Sequence, residues 1–321
     1  MTKTILTGIK PTGHPHIGNL FGMILPAIEL TQNNEDSFLF IANIHALNSI
    51  KERKALADNT LEVAATLLAF GLDPNRTTFY RQSDVPEVSE LTSILTNFTP
   101  KGLMNRAHAY KAMLDRDGND DNVNMGLYTY PILMAADILI MDTDIVPVGL
   151  DQKQHIEMTR DIAIAFNAQY NKVFKLPMES ISEGVGTVVG LDGRKMSKSY
   201  GNVIAIAESP EETARKVLKI PTDSLPPEAP KSKDAALYKM MELFPGTKDL
   251  RKQYLAGGLG YGDAKKELGD AINEFLAAPR AKLAELMADP GAIELALSAG
   301  ANKARARAAK TLARVKEAIG L

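Results

Sequence analysis

A short β-branched run, Thr4–Thr7, breaks at Gly8 into a turn holding Pro11 and Gly13, and a helical pattern follows from Gly18 to Thr31. Ser37–Ala42 (SFLFIA) is a second strand candidate, Lys54–Ala69 a long helix ending at Gly71, and Thr77–Arg81 a third strand. Parallel strands need a crossover, so strand, glycine turn, helix, strand is the grammar of a doubly wound parallel sheet. Leu91–Asp115 and Tyr128–Met141 read as mostly helical, separated by the polar loop Arg116–Asn124. Beyond Asn202 no strand pattern appears. Pro221–Lys233 carries four prolines and reads as loop, whereas Asp234–Leu243, Ala264–Ala277, Ala281–Met287 and Ala301–Ile319 read as helices rich in Ala, Leu, Lys and Glu, with Asp234 as N-cap of the first. The expected architecture is α/β: a doubly wound parallel-sheet (Rossmann-like) domain with a helical insertion over 1–202, then an all-helical domain over 203–321.

The 321 residues suffice for two cores, and 45% apolar content with a net charge of −2 excludes disorder and a generally basic coat. The chain has no cysteine, which rules out disulfides, thiolate zinc sites, iron–sulfur clusters and a cysteine nucleophile. MTKTILTGIKPTG lacks the apolar core and cleavage site of a secretory signal. The most apolar stretch, Tyr130–Leu150, is broken by Asp137, Asp142 and Asp144, so no membrane span is expected. A soluble, cytoplasmic chain fits these features.

Two segments carry chemistry. In Gly8–Gly22 (GIKPTGHPHIGNLFG), His16-Ile17-Gly18-Asn19 opens a helix behind a strand end. Such a helix end offers free backbone N–H groups to a phosphate chain, Gly18 allows close approach, and His16 and Asn19 add side-chain donors. A plain structural turn is the alternative, and His14 reads as a turn residue. The dinucleotide glycine pattern and the Walker lysine are absent. In Gly193–Asn202 (GRKMSKSYGN), Lys195 and Lys198 sit on a glycine-flanked loop where each can meet a phosphate oxygen while the loop opens and closes.

A third feature is a carboxylate inside an apolar helix. Tyr130, Met134 and Asp137 share one face at i, i+4 and i+7. Burying Asp137 is costly unless something satisfies it. An arginine or a helix N-terminus elsewhere would do so.

H-I-G-N early and K-M-S-K-S later resemble the paired signatures of class I aminoacyl-tRNA synthetases. Tyr128–Leu139 (YTYPILMAADIL) followed by Pro147–Asp161 (PVGLDQKQHIEMTRD) is similar to the tryptophanyl-tRNA synthetases of bacterial type, and the similarity runs from Thr4 to Asn202 and more weakly to Leu321. The resemblance implies that L-tryptophan is activated with ATP and Mg²⁺ to tryptophanyl-adenylate, then transferred to the terminal adenosine of tRNA(Trp). It implies His16, Asn19, Lys195 and Lys198 as catalytic residues. ATP would meet these together with Lys10, Pro11, Thr12, Gly18, Gly149, Leu150, Asp151, Val188, Met196, Ser197 and Ser199. Tryptophan would meet Asp137, Tyr130, Met134, Gln152, Val146, Val148 and His45, with Asp137, which phenylalanine would leave unpaired, accepting the indole N–H, and Gln152 on the α-amino group; a core or strand-end role is the alternative for His45. His155 and Glu157 would tie the following helix in place.

This chain departs from the family pattern at Lys10, where glutamine is common, and at Leu150, where glutamate is common. Tyr200-Gly201-Asn202 follows K-M-S-K-S instead of Asp-Pro-Asn, and Gly184–Gly193 is shorter and richer in glycine. Lys111 matches an ATP-contacting lysine of the family. The segment joining the halves is too short for an editing domain. The resemblance also implies a homodimer, with Leu91–Met113 in its interface, and an anticodon reader in the helical half. The last helix carries Lys303, Arg305, Arg307, Lys310, Arg314 and Lys316 against Glu317 alone, which reads either as a solvated face or as a phosphate-contacting surface. A tyrosyl enzyme, a small nucleotidyltransferase and a non-catalytic paralogue are the rival readings. A phenol O–H needs both an acceptor and a donor, and the intact signatures oppose the last two.

Overall fold

The computed structural model describes residues 3–108, 110–111, 124–181 and 188–321. Five parallel strands, β1 (Ile5–Ile9), β2 (Ser37–Ile41), β3 (Thr78–Arg81), β4 (Ile145–Val148) and β5 (Met178–Ile181), form one sheet in the order β3-β2-β1-β4-β5. Ile5 pairs with Ser37 on one side and Ile145 on the other, Phe38 with Thr78, and Ile145 with Met178. This is the doubly wound order. Its direction of winding reverses between β1 and β4, and the carboxyl ends of strands at such a reversal open a crevice for ligands.

The helix after β1 begins as α1 (Ile17–Asn19), widens into a π-helical turn over Leu20–Ile24, and continues as α2 (Leu25–Gln32). Pro26 lies at the start of α2; it has no N–H, and its ring would crowd the carbonyl four residues back, which the wider turn relieves. Short α3 (Asn43–Ala46) follows β2, and α4 (Arg53–Ala69) crosses to β3. The stretch Leu91–Asp115, read as mostly helical, holds the later part of α5 (Glu87–Thr96) and α6 (Lys101–Met104), with Pro100 between them. Residues 112–115, including Met113 of the expected interface, and the loop 116–123 lie outside the described residues. Next come α7 (Met125–Ile140), capped by Asn124, and α8 (Lys153–Tyr170).

Among the described residues no strand follows β5. The helices are α9 (Pro210–Val217), α10 (Ala236–Glu242), α11 (Lys248–Ala256), α12 (Tyr261–Ala288) and α13 (Gly291–Ile319). Three expectations change here. Ala235, not Asp234, is the N-cap of α10; α12 runs unbroken through Pro279; and α13 starts ten residues earlier than Ala301.

Both apolar cores draw on both halves of the chain. One joins Ile9, Ile17 and Leu39 to Val217, Leu268 and Leu297; the other joins Leu6, Phe38 and Ile138 to Ala304, Ala308 and Val315. The last helix thus returns to the sheet and covers edge strand β3, where Gly300 lets its backbone approach: a Cβ there would lie 1.8 Å from the Phe79 carbonyl oxygen. Four of its six basic side chains are paired with acids of the preceding half. Arg305 pairs with Glu87, Arg307 with Asp36, Arg314 with Asp142 and Lys316 with Glu90. Among the described residues no helix is long and apolar enough to cross a membrane.

Candidate active site

At the carboxyl end of β1 the chain turns tightly, with Gly13 at φ +97°. His16 and Asn19 then cap the helix reciprocally: His16 Nδ1 accepts from the Asn19 backbone N–H at 3.3 Å, and Asn19 Oδ1 accepts from the His16 N–H at 3.2 Å. The Ile17 N–H donates to the Ile204 carbonyl at 3.0 Å, and the Gly18 N–H to the Met196 sulfur at 3.1 Å. The free amides expected here are therefore taken. Only the Gly18 N–H has a weak acceptor, a thioether, that a phosphate oxygen readily replaces.

The K-M-S-K-S segment meets this helix end. Val189 and Lys195 pair antiparallel across a turn in which Gly193 sits at φ +84°, and the Met196 N–H donates to the Val188 carbonyl at 2.8 Å. Together the two segments enclose a cavity of about 370 Å³ lined by Thr12, His16, Gly18, Asn19, Val188 and the run Lys195, Met196, Ser197, Lys198 and Ser199. Lys198 Nζ donates to the Thr12 carbonyl at 2.9 Å, so the loop rests closed on the turn. Burial lowers the Lys198 pKa. Burial, and secondarily the Lys198 charge, pushes the His16 imidazole down to about 4. His16 is thus neutral at pH 7, and because Nδ1 accepts, Nε2 carries the proton. The Lys195 side chain is exposed, and its ammonium makes no hydrogen bond or ion pair with the described residues. Two supporting residues escaped sequence reasoning. Buried Asn202 takes the Ser197 N–H at 2.8 Å and donates to Asp192 and the Lys195 carbonyl at 2.6 and 3.0 Å. Glu62 on α4 holds His14 at 2.6 Å, so His14 is more than a turn residue.

Around Asp137 the partners are neither the arginine nor the helix end that the structural alternative offered. The carboxylate is 3% exposed and is held by Gln82 Nε2, at 3.0 Å to Oδ1 and 2.8 Å to Oδ2, and by His45 Nε2 at 3.0 Å to Oδ2. Burial raises the Asp137 pKa, opposed by the His45 and Gln82 hydrogen bonds. His45 follows β2 and Gln82 follows β3, so both partners come from carboxyl strand ends. Gln82 had no local signal; only the fold brings it to Asp137, 55 residues away in the chain. Tyr130 hydrogen-bonds His155 Nε2 at 2.7 Å, joining α7 to α8, and its ring centroid lies 6.4 Å from that of His45. Burial pushes its pKa up to about 12. Met134 and Val148 are half-buried, and Val146 is buried.

Gly149, Leu150 and Asp151 follow β4, across the reversal from the H-I-G-N turn, and all three are exposed. Gln152 Nε2 lies 3.3 Å from Asp151 Oδ2. Neither this group nor Lys10 and Pro11 lines the 370 Å³ cavity. Lys111, the candidate ATP contact, is exposed. Glu157 faces Lys153 on its own helix.

A family model described as tRNA synthetases class I (W and Y) matches residues 2–277. The tryptophan–tRNA ligase of Neisseria meningitidis is 50% identical over 99% of this chain and 98% of its own. The crystal structure of tryptophanyl-tRNA synthetase from Campylobacter jejuni complexed with ADP and tryptophan superposes with a TM-score of 0.91, at 42% identity over 99% of this chain and 100% of that one. Tyrosyl-tRNA synthetase from Aeropyrum pernix has a TM-score of 0.67 at 20% identity, a likeness of fold. The chain belongs to the class I tRNA synthetases, in their tryptophan–tRNA ligase family.

Proposed function

We propose that this chain joins L-tryptophan to tRNA(Trp) in two steps at the carboxyl edge of the sheet, with the residue roles that follow. The observation that carries the reading is the meeting of His16, Gly18 and Asn19 with Lys195, Met196, Ser197, Lys198 and Ser199 around one cavity. The tryptophan carboxylate oxygen attacks the α-phosphorus of ATP; an O–P bond forms, the bond to the β-phosphate oxygen breaks, and pyrophosphate leaves. Such a displacement needs alignment and charge neutralisation more than a protein base. Neutral His16 presents Nε2–H, Asn19 and the Gly18 N–H add donors, and Lys195 with Lys198 meets the charge growing on the leaving group. For this Lys198 exchanges the Thr12 carbonyl for phosphate.

Lys10, Pro11, Thr12, Val188, Gly149, Leu150 and Asp151 complete the ATP site in this reading. In the same reading Mg²⁺ accompanies the nucleotide as Mg·ATP. Asp137 accepts the indole N–H, Met134, Val146 and Val148 wall the ring, His45 edges the slot, and Tyr130 with Gln152 holds the head group. The acyl group then passes to the terminal adenosine of tRNA, whose anticodon meets the helices of 203–321. The enzyme acts in the cytoplasm as a homodimer.

ATP–pyrophosphate exchange across all amino acids, followed by charging of bulk tRNA, tests the assignment. Exchange with tryptophan far above tyrosine and phenylalanine is expected. Exchange driven by tyrosine alone would overturn it, and absence of tRNA charging would leave only an amino-acid adenylating enzyme.

A further inference from the structure

Gln82 stands immediately after β3 with no exposed surface, and its amide is used at both ends. Its Oε1 accepts the backbone N–H groups of Ile44 at 3.1 Å and His45 at 3.3 Å, in the first turn of α3. Its Nε2 donates to both Asp137 oxygens, and His45 closes the ring by bonding Oδ2 of the same carboxylate. The orientation of the amide follows from these partners: the atom facing two N–H groups is the oxygen, and the atom facing a carboxylate is the nitrogen. A carboxylate gripped through both oxygens cannot swing about its terminal torsion. With Oδ2 taken twice and Oδ1 once, acceptor capacity remains on Oδ1.

We infer that Gln82 is the positioning residue for indole recognition: it fixes Asp137 so that a free acceptor direction points at one place for the N–H of the bound side chain. This rests on the reading of Asp137 as the indole acceptor. Discrimination in favour of an N–H then depends on an amide that touches no substrate atom. Without the clamp, the carboxylate turns toward whatever donor is nearest, and the penalty for a substrate lacking N–H shrinks.

The test uses full-length wild type, Gln82→Met, Gln82→Glu and Asp137→Ala. ATP–pyrophosphate exchange is measured with L-tryptophan and with 3-(3-benzothienyl)alanine, whose sulfur replaces the indole N–H. Bound tryptophan is also followed by its own fluorescence, which no tryptophan of this chain obscures. Gln82→Met is expected to reduce the preference for tryptophan at least tenfold, through KM for tryptophan, with KM for ATP unchanged within twofold. Gln82→Glu keeps the acceptor toward α3 and places a second carboxyl against Asp137. It should use tryptophan poorly at pH 8 and recover toward pH 6, as the carboxyl pair takes up a proton and the glutamic acid becomes a donor. His45 and Tyr80 are the other titratable groups acting on Asp137; both are present in wild type, whose profile is the reference.

If Gln82→Met keeps the wild-type preference while Asp137→Ala loses it, the role of Gln82 is overturned and the indole reading stands. If Asp137→Ala also keeps the preference, the indole reading fails and takes this inference with it. Should Gln82→Met not fold, Gln82→Glu decides, and an unchanged preference at every pH overturns the proposal.

Discussion

At His16 the two imidazole nitrogens are separated by function: Nδ1 caps the helix, which leaves Nε2–H as a donor. The pKa of about 4 makes this arrangement a stability term as well. The unfolded histidine takes up a proton near pH 6.5, whereas the folded one does so only near 4, so the unfolded state binds more protons between those values. Stability present above pH 6.5 is lost as pH falls toward 4. His16→Asn should flatten this slope by about one proton in thermal unfolding measured against pH. Gly18 is constrained by the same ring, since a Cβ there would lie 2.9 Å from His16 Cε1 and Nδ1 and 3.2 Å from Met196 Cβ. Gly18→Ala should displace the imidazole and slow adenylate formation at least tenfold, at a stability change of about 1 kcal/mol by denaturant unfolding.

The loop from Gly190 to Asn202 works as an element because its base is fixed while its lysines are exposed. Asn202 ties Asp192, Lys195 and Ser197 together, and Gly201 at φ +64° turns the chain out of the loop. The departure from Asp-Pro-Asn after K-M-S-K-S therefore retains the asparagine that carries the hydrogen bonds. The Lys195 ammonium, without a partner among the described residues, is poised to act only when charge develops. Lys195→Ala should slow adenylate formation by about 10²–10³-fold in pre-steady-state exchange while tryptophan affinity by calorimetry changes less than about threefold. Equal losses in both measurements would contradict a transition-state role.

Across the whole molecule the last helix binds the halves together. Gly300 meets the Phe79 backbone, which cannot give way as a side chain would. Gly300→Ala should destabilise the fold by about 3 kcal/mol or more, seen as a lowered denaturation midpoint at unchanged slope. The Arg307–Asp36 pair, with the guanidinium also 5.4 Å from the Phe38 ring centre, is part of the same clasp. A double-mutant cycle of Arg307→Ala and Asp36→Ala should return a coupling of about 0.5–1 kcal/mol that falls with added salt. Within the helix, Lys303 and Lys310 are exposed without a partner among the described residues.

Strand and helix periodicity made β1, β2, α4 and α7 legible, because each has enough residues for a pattern to stand out, and four-residue β3 was legible through the β-branched and aromatic run Thr77–Tyr80. The four-residue edge strand β5, with Met178, Ser180 and Ile181 exposed, has no such pattern. Short polar helices α9 and α11 were missed for the same reason. H-I-G-N and K-M-S-K-S were readable since their chemistry is written in consecutive residues, and folding brought them to one cavity. What surrounds them was not readable. Gln82 on Asp137, Asn202 under the loop, Met196 on the Gly18 N–H and the acids beneath the last helix are all pairings between distant parts of the chain. A buried polar group dictates that a partner must exist, but only the packing of strands and helices decides which residue arrives within 3 Å.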